Sequence, residues 1–143
     1  MLEREGEGWR LAWDGQRHPF PLLIGGEGWA SELTALEGSA LAKAMGALRE
    51  QHHSLVSSLM EEESITLEFE GPTQEGVGTL WMALEGDRRE WTLRFVLQPG
   101  QGRRGLEGGW SRRAADSFAR ACWDLLGQSD PLDPHQLVID QQN

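Results

Sequence analysis

Two short stretches of the chain carry nearly the same letters: Gly25-Gly26-Glu27-Gly28-Trp29-Ala30-Ser31 and Gly108-Gly109-Trp110-Ser111. Each follows strand-like sequence and each opens a helix-like run. Glycine turns the chain where a side chain would be strained. Tryptophan seals such a turn against apolar surface. A serine close behind suits the cap of a first helical turn. A feature used twice predicts a pseudo-repeat of two sheet-then-helix halves. Trp29 and Trp110 are then expected to be buried as staples at the starts of two helices.

The patterning between these turns supplies the elements. Trp9, Leu11 and Trp13 alternate with Arg10, Ala12 and Asp14, which is strand periodicity. Asp14-Gly15 is a two-residue turn signal, and the return strand is read from Phe20 to Ile24. Pro19 and Pro21 cannot donate to a ladder, which places that strand at an edge. Ser31 and Thr34 both suit a helix cap, and Thr34 with Glu37 has the spacing of a capping box. Leu41, Met45, Leu48, Leu55 and Leu59 then mark one face of a long helix, with His52 filling the gap in the stripe. Three alternating strands follow: Ile65, Leu67 and Phe69; Leu80, Met82 and Leu84; Trp91, Leu93, Phe95 and Leu97. Gly71 to Gly76 and Gly86-Asp87 join them. A glycine-arginine loop from Gly100 to Gly105 leads to a short strand around Leu106. Ser111 is read as the cap of a last helix striped by Ala115, Phe118, Cys122, Leu125 and Leu126, with Gly127 as its stop.

The order is ββα–ββββ–α. It predicts an α+β fold: a curved, mainly antiparallel sheet of at least five strands with two helices packed on one face. At 143 residues the chain reads as a single domain over 1–143, compact from about 6 to 128. The rest, 129–143, is a tail in which Leu137-Val138-Ile139 is the apolar segment.

Composition narrows the function classes. The net charge of −10 opposes binding to polyanions. The charge is unevenly spread, with eight arginines and three acids between 88 and 120. Arg88, Arg89, Arg94, Arg103, Arg104, Arg112, Arg113 and Arg120 thus form either an anion site or a solvated face balancing the acidic half. The one cysteine, Cys122, excludes an internal disulfide and fits a reducing compartment. The acidic start has no apolar run behind it, and no stretch reaches the roughly 18 apolar residues of a membrane span. A cytoplasmic protein without membrane attachment is expected.

No chemistry-bearing constellation emerges. Gly100-x-Gly102-x-x-Gly105 has the letters of a dinucleotide fingerprint, but strand-like sequence follows where a helix must open. Glu50-x-x-His53 has the spacing of a di-iron ligand pair without the second copy such a site needs. His18 and His135 lie beside prolines with no legible partners. Cys122 sits on an apolar helix face, not in the electropositive setting of a reactive thiol. Neither Ser31 nor Ser111 lies in a nucleophile elbow. The expectation is a protein that is not an enzyme and carries neither cofactor nor metal. Among seven tryptophans, Trp9, Trp13 and Trp91 share strand faces with leucine and read as core, while Trp123 flanks the last helical stripe. Trp81 is the exception. Leu80, Met82 and Leu84 take the apolar face, so Trp81 points the other way, near Thr66, Glu68, Thr92 and Arg94. Trp81, Arg88, Arg89, Arg94, Arg103 and Arg104 are the expected interaction surface.

The string Phe20-Pro21-Leu22-Leu23-Ile24-Gly25-Gly26-Glu27-Gly28-Trp29-Ala30 carries a resemblance, together with Glu32-Leu33, Gly8-Trp9-Arg10-Leu11 and Gly109-Trp110. Over roughly 6–128 the chain resembles a small cyanobacterial family of unknown function. Its members are similar to the single-stranded-DNA-binding fold of the Whirly proteins and the positive transcriptional coactivators. That resemblance implies a curved antiparallel sheet with a helix after each group of strands, two strands more in the first half than the patterning shows, and no catalytic residues. Two functions are therefore expected in turn. The first is a non-catalytic interaction module binding a protein partner, or a second copy of itself, through the sheet surface. The alternative is a single-stranded nucleic-acid-binding protein using the arginine-rich 88–120 region.

Overall fold

The computed structural model describes residues 1–73, 78–100 and 102–127. Two four-stranded antiparallel meanders, each followed by a helix, make an α+β fold. The first sheet runs β1 (Leu2–Gly6), β2 (Trp9–Trp13), β3 (Leu22–Gly26) and β4 (Trp29–Leu33), and leads into α1 (Ala35–Leu55). The second runs β5 (Ile65–Pro72), β6 (Thr79–Gly86), β7 (Trp91–Gln98) and β8 (Leu106–Trp110), and leads into α2 (Ala115–Cys122). A π-helical turn over Trp123–Gly127 extends α2.

The two sheet-then-helix halves are present, but the order is ββββ–α–ββββ–α in place of ββα–ββββ–α, and the strands form two sheets of four. The added strands are β1 and β4. All five residues of β1 are exposed, so no buried face marks it in the sequence. It is held by backbone pairing to β2, from Leu2 opposite Trp13 to Gly6 opposite Trp9. In β4, Trp29, Ser31 and Leu33 turn inward, so the first glycine-tryptophan segment is a β3–β4 hairpin and not the opening of a helix. Its turn falls at Glu27-Gly28, where Gly28 has φ +81°, a conformation costly for a residue with a Cβ. Gly108, Gly109 and Trp110 lie within β8.

The caps sort accordingly. Thr34 is the N-cap of α1: its hydroxyl accepts the Glu37 amide at 3.1 Å, and the Glu37 carboxylate accepts the Thr34 amide at 2.9 Å. Ser31 is a strand residue. The Ser111 carbonyl accepts the amides of Ala114 and Ala115 at 3.0 and 2.9 Å, while Ala114 holds the cap position with no side-chain bond. The turn after β2 is longer than Asp14-Gly15, closing where the Asp14 amide reaches the Pro21 carbonyl at 2.9 Å. The 74–76 part of the Gly71–Gly76 turn, His135 and the tail triplet Leu137-Val138-Ile139 lie outside the described residues.

Alternation builds one core. Trp9, Leu11, Trp13, Leu22 and Ile24 from the first sheet meet Leu80, Met82, Leu84, Leu93, Phe95 and Leu97 from the second, with Leu41, Met45, Leu48, Phe118 and Cys122 from the helices. The helices cross between halves. α1 lies against β5 and β6, while α2 lies against β2 and β1 as well as β7 and β8. Neither meander therefore buries its apolar face using only the helix that follows it. No helix among the described residues is long and apolar enough to cross a membrane.

Candidate interaction surface

The outward face of the second sheet follows from its register. Glu70, Trp81, Val96 and Glu107 form one row, Glu68, Ala83, Arg94 and Gly109 the next, and Thr66, Glu85 and Thr92 a third. Trp81 is half-buried on this face, as the alternation of β6 requires. The Arg94 guanidinium lies 5.4 Å from its ring centroid, a distance at which the ring quadrupole attracts a cation. Trp81, Arg94, Val96 and Glu107 wall a shallow depression of about 420 Å³ beside the glycines of β8. Glu68, Glu70, Glu85 and Glu107 are exposed on the same face against the single cation Arg94. The surface is acidic with one aromatic platform.

The arginines do not share one surface: Arg88, Arg89, Arg103 and Arg104 divide between the two ends of β7, with Arg112 meeting Asp87 at the end that holds Arg88 and Arg89. Arg88 and Arg89 lie in the β6–β7 turn, whereas Arg103 and Arg104 lie in the β7–β8 loop at the other end of β7. Seven strand steps separate those ends, about 23 Å at the usual rise per residue. Arg89 pairs with Glu61, Arg112 with Asp87, Arg113 with Glu7 and Arg120 with Asp116. Arg103 reaches the buried Glu37 carboxylate at 3.2 Å and lies over the Phe20 ring at 5.3 Å. That contact ties the glycine-arginine loop to the start of α1. Arg88 and Arg104 are exposed and make no ion pair among the described residues. Of the six residues expected to share a surface, only Trp81 and Arg94 do.

Asp87 organises the β6–β7 turn in a way the sequence did not suggest. Its carboxylate accepts the amides of Glu90 and Arg89 at 2.9 and 2.8 Å, and its carbonyl lies 2.8 Å from His52 Nε2 on α1. The Glu90 amide, then the Arg89 amide, hold the Asp87 carboxyl below its ordinary value of 3.8. A lowered acid stabilises the fold fully above its ordinary value and loses that contribution as pH falls through the folded value. Asp87→Asn is therefore expected to flatten the fall in stability below about pH 4. Urea melts at neutral and acid pH check this, and an unchanged acid limb would count against it.

The glycine-tryptophan segments meet each other. Trp29 Nε1 donates to the Gly109 carbonyl at 3.1 Å, and Trp110 Nε1 donates to the Gly25 carbonyl at 2.9 Å. The two indoles lie 5.4 Å apart. A Cβ on Gly26 would come within 2.8 Å of the Gly109 carbonyl oxygen. A Cβ on Gly108 would come within 2.8 Å of the Trp29 ring, so Gly26 and Gly108 permit the close crossing between the sheets, Gly25 and Gly109 supply its carbonyl acceptors, and Gly28 serves the hairpin turn. Trp110 is buried and Trp29 half-buried, and neither sits at a helix start.

A second concavity, about 700 Å³, lies between α1 and α2. Lys43, Glu50, His53, Trp91, Asp116 and Trp123 line it. Glu50 and His53 are exposed there, and no group of three metal-ligating side chains occurs among the described residues. Asp116 is bonded to both Arg49 and Arg120, at 3.1 and 2.7 Å. Cys122 is fully buried, and burial pushes its thiol up to about 12, leaving no thiolate at neutral pH.

The family model of DUF1818, a domain of unknown function, matches residues 4–125. A crystal structure of a protein of unknown function from the DUF155 family, from Prochlorococcus sp. NATL2A, is similar in fold, with a TM-score of 0.78. The two sequences are 35% identical over 87% of this chain and 98% of that one. No curated protein matches the sequence.

Proposed function

We propose, for a chain that belongs to the DUF1818 family of unknown function, a non-catalytic, cytoplasmic interaction module that binds a protein partner through the outward face of its second sheet. The observation that carries this reading is Trp81, an indole left on an outward sheet face beside an open depression. Tryptophan is concentrated in protein interfaces, where its area is buried by the partner. The surrounding acids disfavour a phosphate backbone on that face. The alternative is single-stranded nucleic-acid binding in the manner of the Whirly-like proteins. It would need cations near an aromatic platform, and here most of them are spent on ion pairs at separate places.

Affinity capture from a lysate of the source organism, with and without nuclease, tests the reading. Bound proteins should survive nuclease and be lost with Trp81→Ala, a substitution expected to weaken a central contact by about 2 kcal/mol, or roughly 30-fold. Light scattering separates a second copy of the chain from a different partner. A fluorescently labelled single strand should show no saturable binding at about 150 mM salt. Micromolar binding at that salt, lost with Arg103→Ala/Arg104→Ala, would replace the reading with the alternative.

A further inference from the structure

We propose that the free edge of β5 takes up an extended, lysine- or arginine-bearing segment of a protein partner as an added strand. The inference rests on the reading of the second sheet as an interaction surface and gives that partner a chemistry.

β5 spans eight residues and has a strand neighbour, β6, on one side only. In an antiparallel pair every second residue turns its amide and carbonyl away from the partner. Among the described residues, none of these outward backbone groups of β5 is hydrogen bonded. Such a row is a template for another strand, and proteins commonly blunt it with lysine, proline or short length. β5 carries no lysine, and its one proline, Pro72, is its last residue. The other open edges are less available. β1 is five residues long and bears Glu3, Arg4 and Glu5 on alternating faces. β4 and β8 are also five residues long, and the Gly109 carbonyl of β8 is already taken by Trp29.

The two faces of β5 specify what would dock. Its inward row is apolar: Leu67 is 9% exposed, while Ile65 and Phe69 are only half-buried, with the Phe69 ring folded over Gly71. A neighbouring strand with apolar side chains on that face would cover them. Its outward row is Thr66, Glu68 and Glu70, and neither glutamate has an ion-pair partner among the described residues. Cross-strand neighbours of opposite charge stabilise a pair and like charges weaken it. A strand alternating apolar and basic residues satisfies both rows. A second β5 from another copy would bring two more glutamates to the same face, and a nucleic acid would bring phosphates. Both are disfavoured by the same charges.

The full chain titrated with a labelled peptide of four valine-lysine repeats tests the inference. Saturable binding is expected, with at least tenfold weaker binding of the valine-glutamate counterpart. Glu68→Lys/Glu70→Lys, which alters two exposed side chains, should weaken the valine-lysine peptide at least tenfold. Two further peptides, each N-methylated along one edge, distinguish strand addition from simple charge attraction, since one of them must lose binding. Amides of β5 should gain protection from hydrogen exchange when the peptide is bound. The inference is overturned if the valine-lysine peptide does not bind, binds the double variant equally, or keeps its binding when methylated along each of the two edges in turn. If the peptide fails while Trp81→Ala still abolishes capture of protein partners, the interaction surface stands and the β5 edge falls. If both fail, both fall together.

Discussion

Replacing Trp110 with alanine is expected to cost the fold about 3–5 kcal/mol, the usual range for truncating a buried tryptophan. The side chain is 3% exposed. It stacks on Phe118 at 4.1 Å and 15° and on Phe95 at 5.4 Å and 21°. It therefore joins β7, β8 and α2 in one aromatic column. Its truncation would open a cavity at that junction and leave the Gly25 carbonyl without its indole donor. An unpaired buried acceptor adds about 1–3 kcal/mol of desolvation cost where water does not reach it. Trp29→Ala should cost less, because Trp29 is half-buried, although it makes the mirror-image bond to Gly109. The two losses should not add. Rings 5.4 Å apart across one junction are expected to couple by about 0.5–3 kcal/mol in a double-mutant cycle. Urea unfolding of the two singles and the double reads all three values. A cost below about 1 kcal/mol for both singles would mean that the crossing is dispensable to the fold.

That junction also marks the limit of what the sequence carries. Period-two alternation located β2, β5, β6 and β7, because each has one dry and one wet face. Thr34 and Glu37 have the spacing of a capping box and do cap α1, although Ser31 also suits a cap by sequence. The outward direction of Trp81 followed from parity along β6 alone. β1 escaped because its five residues are all exposed and only backbone pairing holds them. β4 escaped because Trp29-Ala30-Ser31 also reads as a helix start, and the choice between Ser31 and Thr34 as cap depends on where the hairpin closes. Trp9, Trp13, Trp91 and Trp110 are buried, Trp29 is half-buried and Trp123 is exposed. The two similar strings do not play equivalent local parts: each binds the backbone of the other, across 80 and 85 residues of chain. The arginine-rich third misleads in a related way. Neighbours in sequence at the two ends of an extended strand become distant in space, and three of their ion pairs come from Glu7, Glu37 and Glu61, which no local pattern connects to them.

Gly108→Ala is expected to destabilise by about 1–3 kcal/mol, through overpacking and not through loss of a contact. An added Cβ would lie 2.8 Å from Phe95 Cε1 and 2.8 Å from the Trp29 ring, closer than carbon atoms approach without repulsion. Neither ring can yield freely. Phe95 is fully buried in the core, and Trp29 is held by its bond to Gly109. Gly28→Ala provides the contrast: its Cβ would meet nothing within 4 Å, so its cost comes from φ +81° alone, about 1 kcal/mol. The two mechanisms separate in combination with Trp29→Ala. Removing that indole vacates part of the space an alanine at 108 needs, so the Gly108→Ala/Trp29→Ala double should be less destabilised than the sum of its singles. Gly28→Ala gains no such relief, because backbone strain is indifferent to the ring. Equal coupling of both glycine variants to Trp29→Ala in urea melts would show that the Trp29 indole is not what excludes a side chain at Gly108. Relief confined to Gly108→Ala would show that it is required for the close passage of the Trp29 indole, which lets the two glycine-tryptophan segments grip each other.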